Sequence, residues 1–111
     1  MDSKLLSLLG LAKKSGSLIS GEDTCERLIK RNEASLVLIA QDASDNTKKK
    51  FVDMTNYRNI RCVTLGNREE LSAAIGKSNR TTYVITDKGF ANTIYKLIID
   101  GDDFSNKPGG E

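Results

Sequence analysis

Helical and extended patterns alternate along this whole chain, and the alternation limits its fold more than any other feature of the sequence. Apolar residues recur at three- and four-residue spacing over residues 2–14, which predicts an amphipathic helix. Residues 36–40 form a continuous apolar run, which is typical of a strand covered on both faces. Residues 60–65 and 82–86 predict two further strands, and a short apolar pair, Leu18 and Ile19, stands before the second helix.

The remaining helices are predicted between and after these strands. The second runs from Gly21 to about Asn32, a third begins after Ser44, a short fourth surrounds Leu71, and the last spans about residues 88–100. Strands that alternate with helices predict the α/β class, with a four-stranded, largely parallel (mixed) sheet that carries helices on both faces. Right-handed crossovers would connect the strands.

The last twelve residues differ in composition from the rest of the chain. Residues 100–111 are polar and Gly-rich, and they hold four of the 15 acidic residues but only one of the 17 basic ones. Residues 1–99 therefore carry a net charge of +5, compared with +2 for the whole chain. We expect one domain over residues 1–99 and a flexible acidic tail over residues 100–111. The basic excess is compatible with a nucleic-acid partner.

The sequence lacks residues that several kinds of catalysis require. The chain has no His, which removes the usual general base at neutral pH and the commonest metal ligand. It also has no glycine-rich phosphate loop. Asp42 follows a predicted buried strand and is interpreted as a turn residue beside a helix start. Catalysis through Cys25, Asp87 or Lys88 stays open, but no motif groups them, so we expect no enzyme, no metal and no cofactor.

The cysteines and the distribution of apolar residues indicate the cellular compartment of the protein. Cys25 and Cys62 lie far apart without metal-type spacing, so we interpret both as reduced, buried small hydrophobes of a cytosolic protein. The sequence shows no secretory signal and no apolar run of membrane length. We therefore expect a soluble, cytoplasmic protein.

The stretch from residue 15 to residue 31 carries the clearest functional signal. Gly21 opens the second helix, where a glycine lets another backbone approach and the free N–H groups carry partial positive charge. Arg27, Lys30 and Arg31 follow as a basic stripe, and such a surface suits a polyanion.

Each of these features also has a simpler explanation. Ser20 and Asp23 could form a capping box at the helix start. Asp23 and Arg27 are four residues apart and could form a surface ion pair. Lys30 and Arg31 could belong to a solvated helix face.

Several segments together resemble one known family. They are residues 21–27, 36–40 with 42–44, 59–61, 71–77 and 84–87. In order and spacing they resemble the kink-turn RNA-binding family of ribosomal and small nucleolar proteins, whose prototype is ribosomal protein L7Ae. The segments SGEDT, IAQDAS and TDKGFAN are most similar to its short bacterial, YlxQ-like members. The resemblance covers about residues 4–99 and implies a three-layer α/β/α sandwich that binds sharply bent RNA.

The resemblance also implies a binding site. In the family, the start of the second helix enters the major groove at tandem sheared G·A pairs beside a bulge, which requires a bent RNA because a regular A-form major groove is too narrow for side chains. The RNA-binding residues that it implies are Gly21, Glu22, Asp23, Thr24, Arg27, Lys30, Arg31, Ser44, Lys48, Arg58, Leu65, Gly66 and Asn67.

These positions have different implied roles. Asp23, Thr24 and Arg27 would touch the G·A bases, and Gly21 would allow close approach. Ser44 and Lys48 would hold a flipped-out nucleotide, with residues 65–67 closing over it and Arg58 nearby. Lys30 and Arg31 would meet phosphates. Archaeal members have Asn and Glu where this chain has Asp23 and Thr24, and an aspartate only accepts hydrogen bonds.

The sequence therefore predicts a non-enzymatic, monomeric protein that binds kink-turn-like RNA, either ribosomal or otherwise associated with translation, and that has no membrane partner. The alternative is a protein–protein adaptor of the translation machinery that docks through the same basic edge. A salt titration separates the two, because RNA binding weakens steeply with ionic strength.

Overall fold

The computed structural model describes residues 2–103 of the chain. Its helices and strands are α1 (Ser3–Lys14), β1 (Leu18–Ser20), α2 (Glu22–Lys30), β2 (Leu36–Ile39), α3 (Asp45–Tyr57), β3 (Arg61–Thr64), α4 (Arg68–Ala74), β4 (Thr82–Ile85) and α5 (Lys88–Asp103). The predicted alternation is confirmed. Helix α5 continues through residue 103, so the first residues of the predicted tail are helical, and the rest of that segment lies outside the described residues.

The four strands form one mixed sheet in the order β1-β4-β2-β3. Strand β2 is parallel to β3, whereas β4 is antiparallel to both of its neighbours, β1 and β2. The α/β class and the four-stranded mixed sheet are confirmed, but the expectation of a largely parallel sheet is wrong. Strands β1, β2 and β3 run in one direction, and β4 is inserted between β1 and β2 in the opposite direction. It therefore makes two antiparallel ladders.

Polar side chains define where three of the helices begin. Asp2 accepts a hydrogen bond from the backbone N–H of Lys4 at 3.0 Å before α1. Ser44 accepts from the N–H of Thr47 at 3.1 Å before α3. Asn67 accepts from the N–H of residue 70 at 2.8 Å before α4. Each cap satisfies a first-turn donor that would otherwise lack a partner, so the chain enters these helices at defined positions.

Two hydrophobic cores lie on the two faces of the sheet. The first joins α1, α4 and α5 to one face, and the second joins α2 and α3 to the other. All four residues of β2 are buried, as the apolar run over residues 36–40 predicted, and all four residues of β4 are buried as well. Alternate residues of these strands point to opposite cores, for example Leu38 to the first core and Val37 to the second. The three layers are therefore α/β/α.

Four loops lie close together along one side of the sheet, where β1, β2 and β3 end and β4 begins. The pairs Ser20↔Tyr83, Ile39↔Thr82 and Ile39↔Thr64 place the ends of β1, β2 and β3 beside the start of β4. We call this the loop edge; it comprises Gly21 and residues 41–44, 65–67 and 78–81. Backbone hydrogen bonds tie these loops together, from Gly21 N to Thr82 O at 3.1 Å and from Gln41 N to Gly66 O at 2.9 Å.

No helix in the described part of the chain combines the length and the apolar character needed to cross a membrane.

Candidate functional site

The start of α2 lies at the loop edge and has no side-chain cap. Gly21 precedes the helix with φ +105°, a backbone angle that favours glycine, and α2 begins at Glu22. The predicted cap by Ser20 and Asp23 is wrong, because Ser20 belongs to β1, where it pairs with Tyr83, and no side chain caps the helix. The first-turn N–H groups after Gly21 have no acceptor within the helix, so this turn offers hydrogen-bond donors to a ligand.

Helix α2 has an inner face that is buried and an outer face that is exposed. Cys25 and Ile29 are fully buried in the second core, whereas Asp23 and Arg27 are exposed on the outer face and Thr24 is half-buried. In the part of the chain that the structure describes, no hydrogen bond or ion pair engages the side chain of Asp23 or Arg27. The suggested ion pair between them is therefore absent, and both side chains are available to a ligand.

Burial disfavours the thiolate form of both cysteines. Cys25 Sγ donates to the carbonyl oxygen of Thr82 at 3.5 Å, and burial raises the pKa of this thiol to about 12. Burial also raises the pKa of the Cys62 thiol. Both cysteines are free; Cys25 is buried as predicted, but Cys62 is only half-buried because it lies on the edge strand β3. Among the described residues, no group of three or more Cys, Asp or Glu side chains could hold a metal ion.

An ion-pair network joins α2 to α3 beside the exposed face. Glu26 Oε1 lies 2.7 Å from Lys50 Nζ, and Glu26 Oε2 lies 2.9 Å from Lys30 Nζ. Glu22 lies 3.5 Å from Lys50 Nζ and accepts a hydrogen bond from Thr47 Oγ1 at 3.4 Å. Hydrogen bonds from Lys50 and Lys30 lower the pKa of Glu26. Two residues of the implied site, Glu22 and Lys30, therefore have partners within the protein.

The other residues implied at the loop edge have mixed environments. Ser44 and Asn67 are exposed, and both use a side-chain oxygen as a helix cap. Lys48 is half-buried on the first turns of α3, and Gly66 has φ +59° in the turn before α4. Leu65 is buried in the first core, so its side chain packs inside the protein rather than facing a ligand.

The structure does not bring Arg58 to the loop edge. Arg58 follows the last residue of α3, and this helix of 13 residues separates it from Ser44 by about 20 Å. It also precedes β3, whose start lies at the opposite edge of the sheet. The Arg58 guanidinium lies 5.4 Å from the ring centroid of exposed Tyr57. Arg31 follows the last residue of α2, about 13 Å from the helix start.

Sequence reasoning missed two arginines at the loop edge. The backbone N–H of Arg68 donates to Asp42 Oδ1 at 2.9 Å, and its guanidinium donates to the Asp42 carbonyl at 2.6 Å and to Asn79 Oδ1 at 3.1 Å. Arg68 thus fixes three loops to one another, and Asp42 is a turn residue as interpreted. Arg80 lies against Gly21. No local pattern indicates these side-chain contacts, since Asn79, Asp42 and Gly21 lie 11, 26 and 59 residues from their arginine in sequence.

A comparison with known families decides where this chain belongs. The model of the Ribosomal protein L7Ae/L30e/S12e/Gadd45 family matches residues 3–95. The chain belongs to this family. Membership confirms the resemblance drawn from the ordered segments between residues 21 and 87.

Two relatives within the L7Ae family carry a functional name. The chain is 41% identical over 91 residues to the RNA-binding protein YlxQ of Bacillus subtilis (strain 168). The aligned region covers 82% of this chain and 91% of that protein. It is 40% identical over 95 residues to the RNA-binding protein YlxQ of Enterococcus faecium, which covers 86% of this chain and 91% of that protein. The similarity to the short bacterial members is therefore confirmed.

Solved structures share the L7Ae-type fold. A protein of unknown function from Bacillus halodurans C superposes with a TM-score of 0.85 at 36% identity, and the match covers 88% of this chain and 99% of that one. The Giardia lamblia 15.5kD RNA binding protein superposes with a TM-score of 0.73 at 18% identity, over 90% of this chain and 89% of that one. At that identity the second match shows the fold alone.

Proposed function

We propose that this L7Ae-family protein binds structured RNA at its loop edge and recognises RNA bent in the manner of a kink-turn. The observation that carries the proposal is the uncapped start of α2. Asp23 and Arg27 follow it on the outer face, and their side chains have no partner among residues 2–103. The relatives named RNA-binding proteins favour RNA over other polyanions. The protein would act as a monomer in the cytoplasm, on ribosomal or other structured RNA.

The proposed contacts divide into base recognition and backbone attraction. Asp23 can accept a hydrogen bond from a base amino group, and Arg27 can donate two hydrogen bonds to guanine O6 and N7. Both lie in the first turns of a helix that could enter only a groove opened by bending, since the A-form major groove is narrow. Lys48 and Arg31 would attract phosphates, which adds affinity without sequence information.

A gel-shift experiment with two RNAs tests the proposal. One RNA carries a kink-turn, and the other is the same stem with its G·A pairs changed to Watson–Crick pairs. We expect the kinked RNA to bind with a dissociation constant of about 1 μM or tighter, about −8 kcal/mol, and the straight stem to bind much more weakly. Equal affinities would contradict kink-turn recognition. If the protein bound neither RNA but bound a protein partner with an affinity that does not change with salt, the adaptor alternative would be favoured.

Glu26→Gln is expected to strengthen RNA binding. The neutral side chain no longer holds Lys30 as an ion-pair partner, and Lys50 keeps only its longer contact with Glu22 at 3.5 Å, so Lys30 fully and Lys50 in part become available to phosphates. We expect a gain of roughly threefold for kinked and straight RNA alike, and a salt dependence that steepens by up to about one unit per freed lysine. Filter binding at several salt concentrations measures both quantities.

Asp53→Asn is the matched control for this prediction. It also removes one negative charge from an exposed i,i+4 ion pair, between Lys49 and Asp53 at 3.0 Å on α3. We expect a smaller gain because Asp53 holds neither lysine of the α2–α3 network. If the two variants gained equally, net charge alone would explain the effect, and Glu26 would have no special role.

A further inference from the structure

The edge of the sheet opposite the loop edge carries most of the basic charge of the molecule. The pairs Leu18↔Ile85, Leu36↔Ile85 and Leu36↔Arg61 place the starts of β1, β2 and β3 beside the end of β4. We call this the far edge; it comprises residues 13–17, 31–35, 58–61 and 86–88. These ranges hold six basic residues and two acidic ones, a net charge of +4, whereas the loop edge holds one of each sign. Most of the +5 of residues 1–99 therefore lies at the far edge.

The basic residues of the far edge have no acidic partners. None of the six forms an ion pair within residues 2–103, where the ion pairs engage Lys30, Lys49, Lys50 and Arg68 instead. The six are Lys13, Lys14, Arg31, Arg58, Arg61 and Lys88. They extend across all four strands, which is about 14 Å at the usual strand spacing of ~4.8 Å. A row of unpaired cations of this length attracts a polyanion.

Two arginine–tyrosine contacts lie where β3 begins. The Arg61 guanidinium is 4.2 Å from the ring centroid of Tyr95, and the Arg58 guanidinium is 5.4 Å from the ring centroid of Tyr57. The two arginines are three residues apart, so their Cα atoms lie within about 11 Å of each other. Tyr57 is 83% exposed, more than any other large hydrophobic side chain of the described residues. Planar cations and an exposed ring therefore share one corner of the molecule.

These groups favour a single strand of RNA over other polyanions. A charge on an edge strand prevents pairing with another sheet, which explains Arg61 but not the exposed ring of Tyr57. Unpaired bases stack on tyrosine rings and on guanidinium planes, and guanidinium N–H groups donate to phosphate oxygens. The bases of a duplex are already stacked on one another, so only an unpaired strand can use the ring and the charges together.

We propose that the far edge is a second RNA-binding surface, which holds a single-stranded segment by phosphate contacts with Arg58 and Arg61 and by stacking of a base on Tyr57. The inference goes beyond the proposed function, because the loop edge would hold folded RNA and the far edge an unpaired strand. Helix α3 separates the two surfaces by about 20 Å, so both can be occupied at once. Arg58, which the family resemblance implied beside a bulge, has this role instead.

A pair of double variants tests the inference. Arg58→Gln with Arg61→Gln removes two charges from the far edge, and Lys4→Gln with Lys49→Gln removes two from exposed positions outside it. The probe is a fluorescent oligouridylate of about 12 nucleotides, which has no G·A pairs and cannot form a kink-turn. Fluorescence anisotropy at about 0.1 M salt should show a loss of about tenfold or more for the far-edge variant and less than about threefold for the control. Each arginine–phosphate contact also contributes about 0.7 unit to the salt slope of a single strand.

Tyr57→Ala tests the stacking contact without a change of charge. Because Tyr57 is exposed and belongs to neither core, its truncation leaves the fold intact. We expect binding of the oligouridylate to weaken about fivefold or more, and Tyr57→Phe, which keeps the ring, to retain wild-type affinity. Unchanged affinity in Tyr57→Ala would overturn the stacking contact.

The two surfaces fail separately. A kink-turn RNA without an unpaired extension should bind the two double variants with equal affinity. If the wild-type protein did not bind the oligouridylate, or if both double variants lost the same affinity for it, the far-edge surface would be overturned and the proposed function would stand. If the oligouridylate bound through Arg58 and Arg61 but kinked and straight RNA bound equally, the proposed function would fail and the far-edge surface would stand.

Discussion

Arg27→Glu is expected to abolish the preference for kinked over straight RNA. Arg27 is exposed on α2, one turn beyond the uncapped helix start, and no ion pair engages it in the described part of the chain. Losing a bidentate arginine–guanine contact costs about 1–3 kcal/mol, or roughly 5- to 150-fold in affinity, and the new carboxylate adds repulsion from the phosphates. Dissociation constants for both RNAs at one salt concentration measure the change.

Arg31→Glu is the matched control, since it reverses the same charge at the other end of α2. Arg31 is placed to meet phosphates, so its reversal should weaken kinked and straight RNA by similar factors. The base-reading role of Arg27 would be refuted if Arg27→Glu, like the control, reduced the affinity for both RNAs equally.

Phe51→Ala is expected to cause the largest loss of stability, about 3–5 kcal/mol in the free energy of unfolding. Phe51 is fully buried in the second core, where it packs with Cys25 and Ile29 of α2 against β2 and β4. Its truncation leaves a cavity between the sheet and the helix that carries the candidate site. Because small domains have only about 5–15 kcal/mol of stability, the urea midpoint should fall by a large fraction of its value.

Val52→Ala is the control for this substitution. Val52 is the next residue of α3 but is 39% exposed, so we expect a loss below about 1 kcal/mol. Similar midpoint shifts in the two variants would show that the second core does not hold α2 in place. RNA affinity of folded Phe51→Ala protein at low temperature then reports whether the position of α2 depends on this contact.

The local elements were predictable because each rests on neighbouring residues. The apolar run over residues 36–40 gave a strand buried on both faces, and Ser44 and Asn67 begin helices where their types favour capping. Ser20 was wrongly interpreted as a cap because serine also favours the position before a helix. Its partner Tyr83 lies 63 residues away in the sheet, and the positive φ of Gly21 already turns the chain into α2.

The direction of β4 could not be deduced from alternation. Helical crossovers make β1, β2 and β3 run the same way, but alternation does not specify between which strands the last one is inserted. Hydrogen bonding to both β1 and β2 decided that, and it produced two antiparallel ladders. The same insertion places residues 78–81 beside Gly21, so the error in topology and the missed contact of Arg80 with Gly21 have one cause.

The amino-acid sequence by itself determined the family, the order of helices and strands, and the start of α2 as the candidate site. These depend on residue type and short spacing, which are read along the chain. Only the tertiary structure decided that Lys30 is paired with Glu26, that Arg58 lies at the far edge, and that Arg80 reaches Gly21. Those outcomes depend on distances between side chains on different elements, and such distances are set by how helices and strands pack rather than by any local pattern.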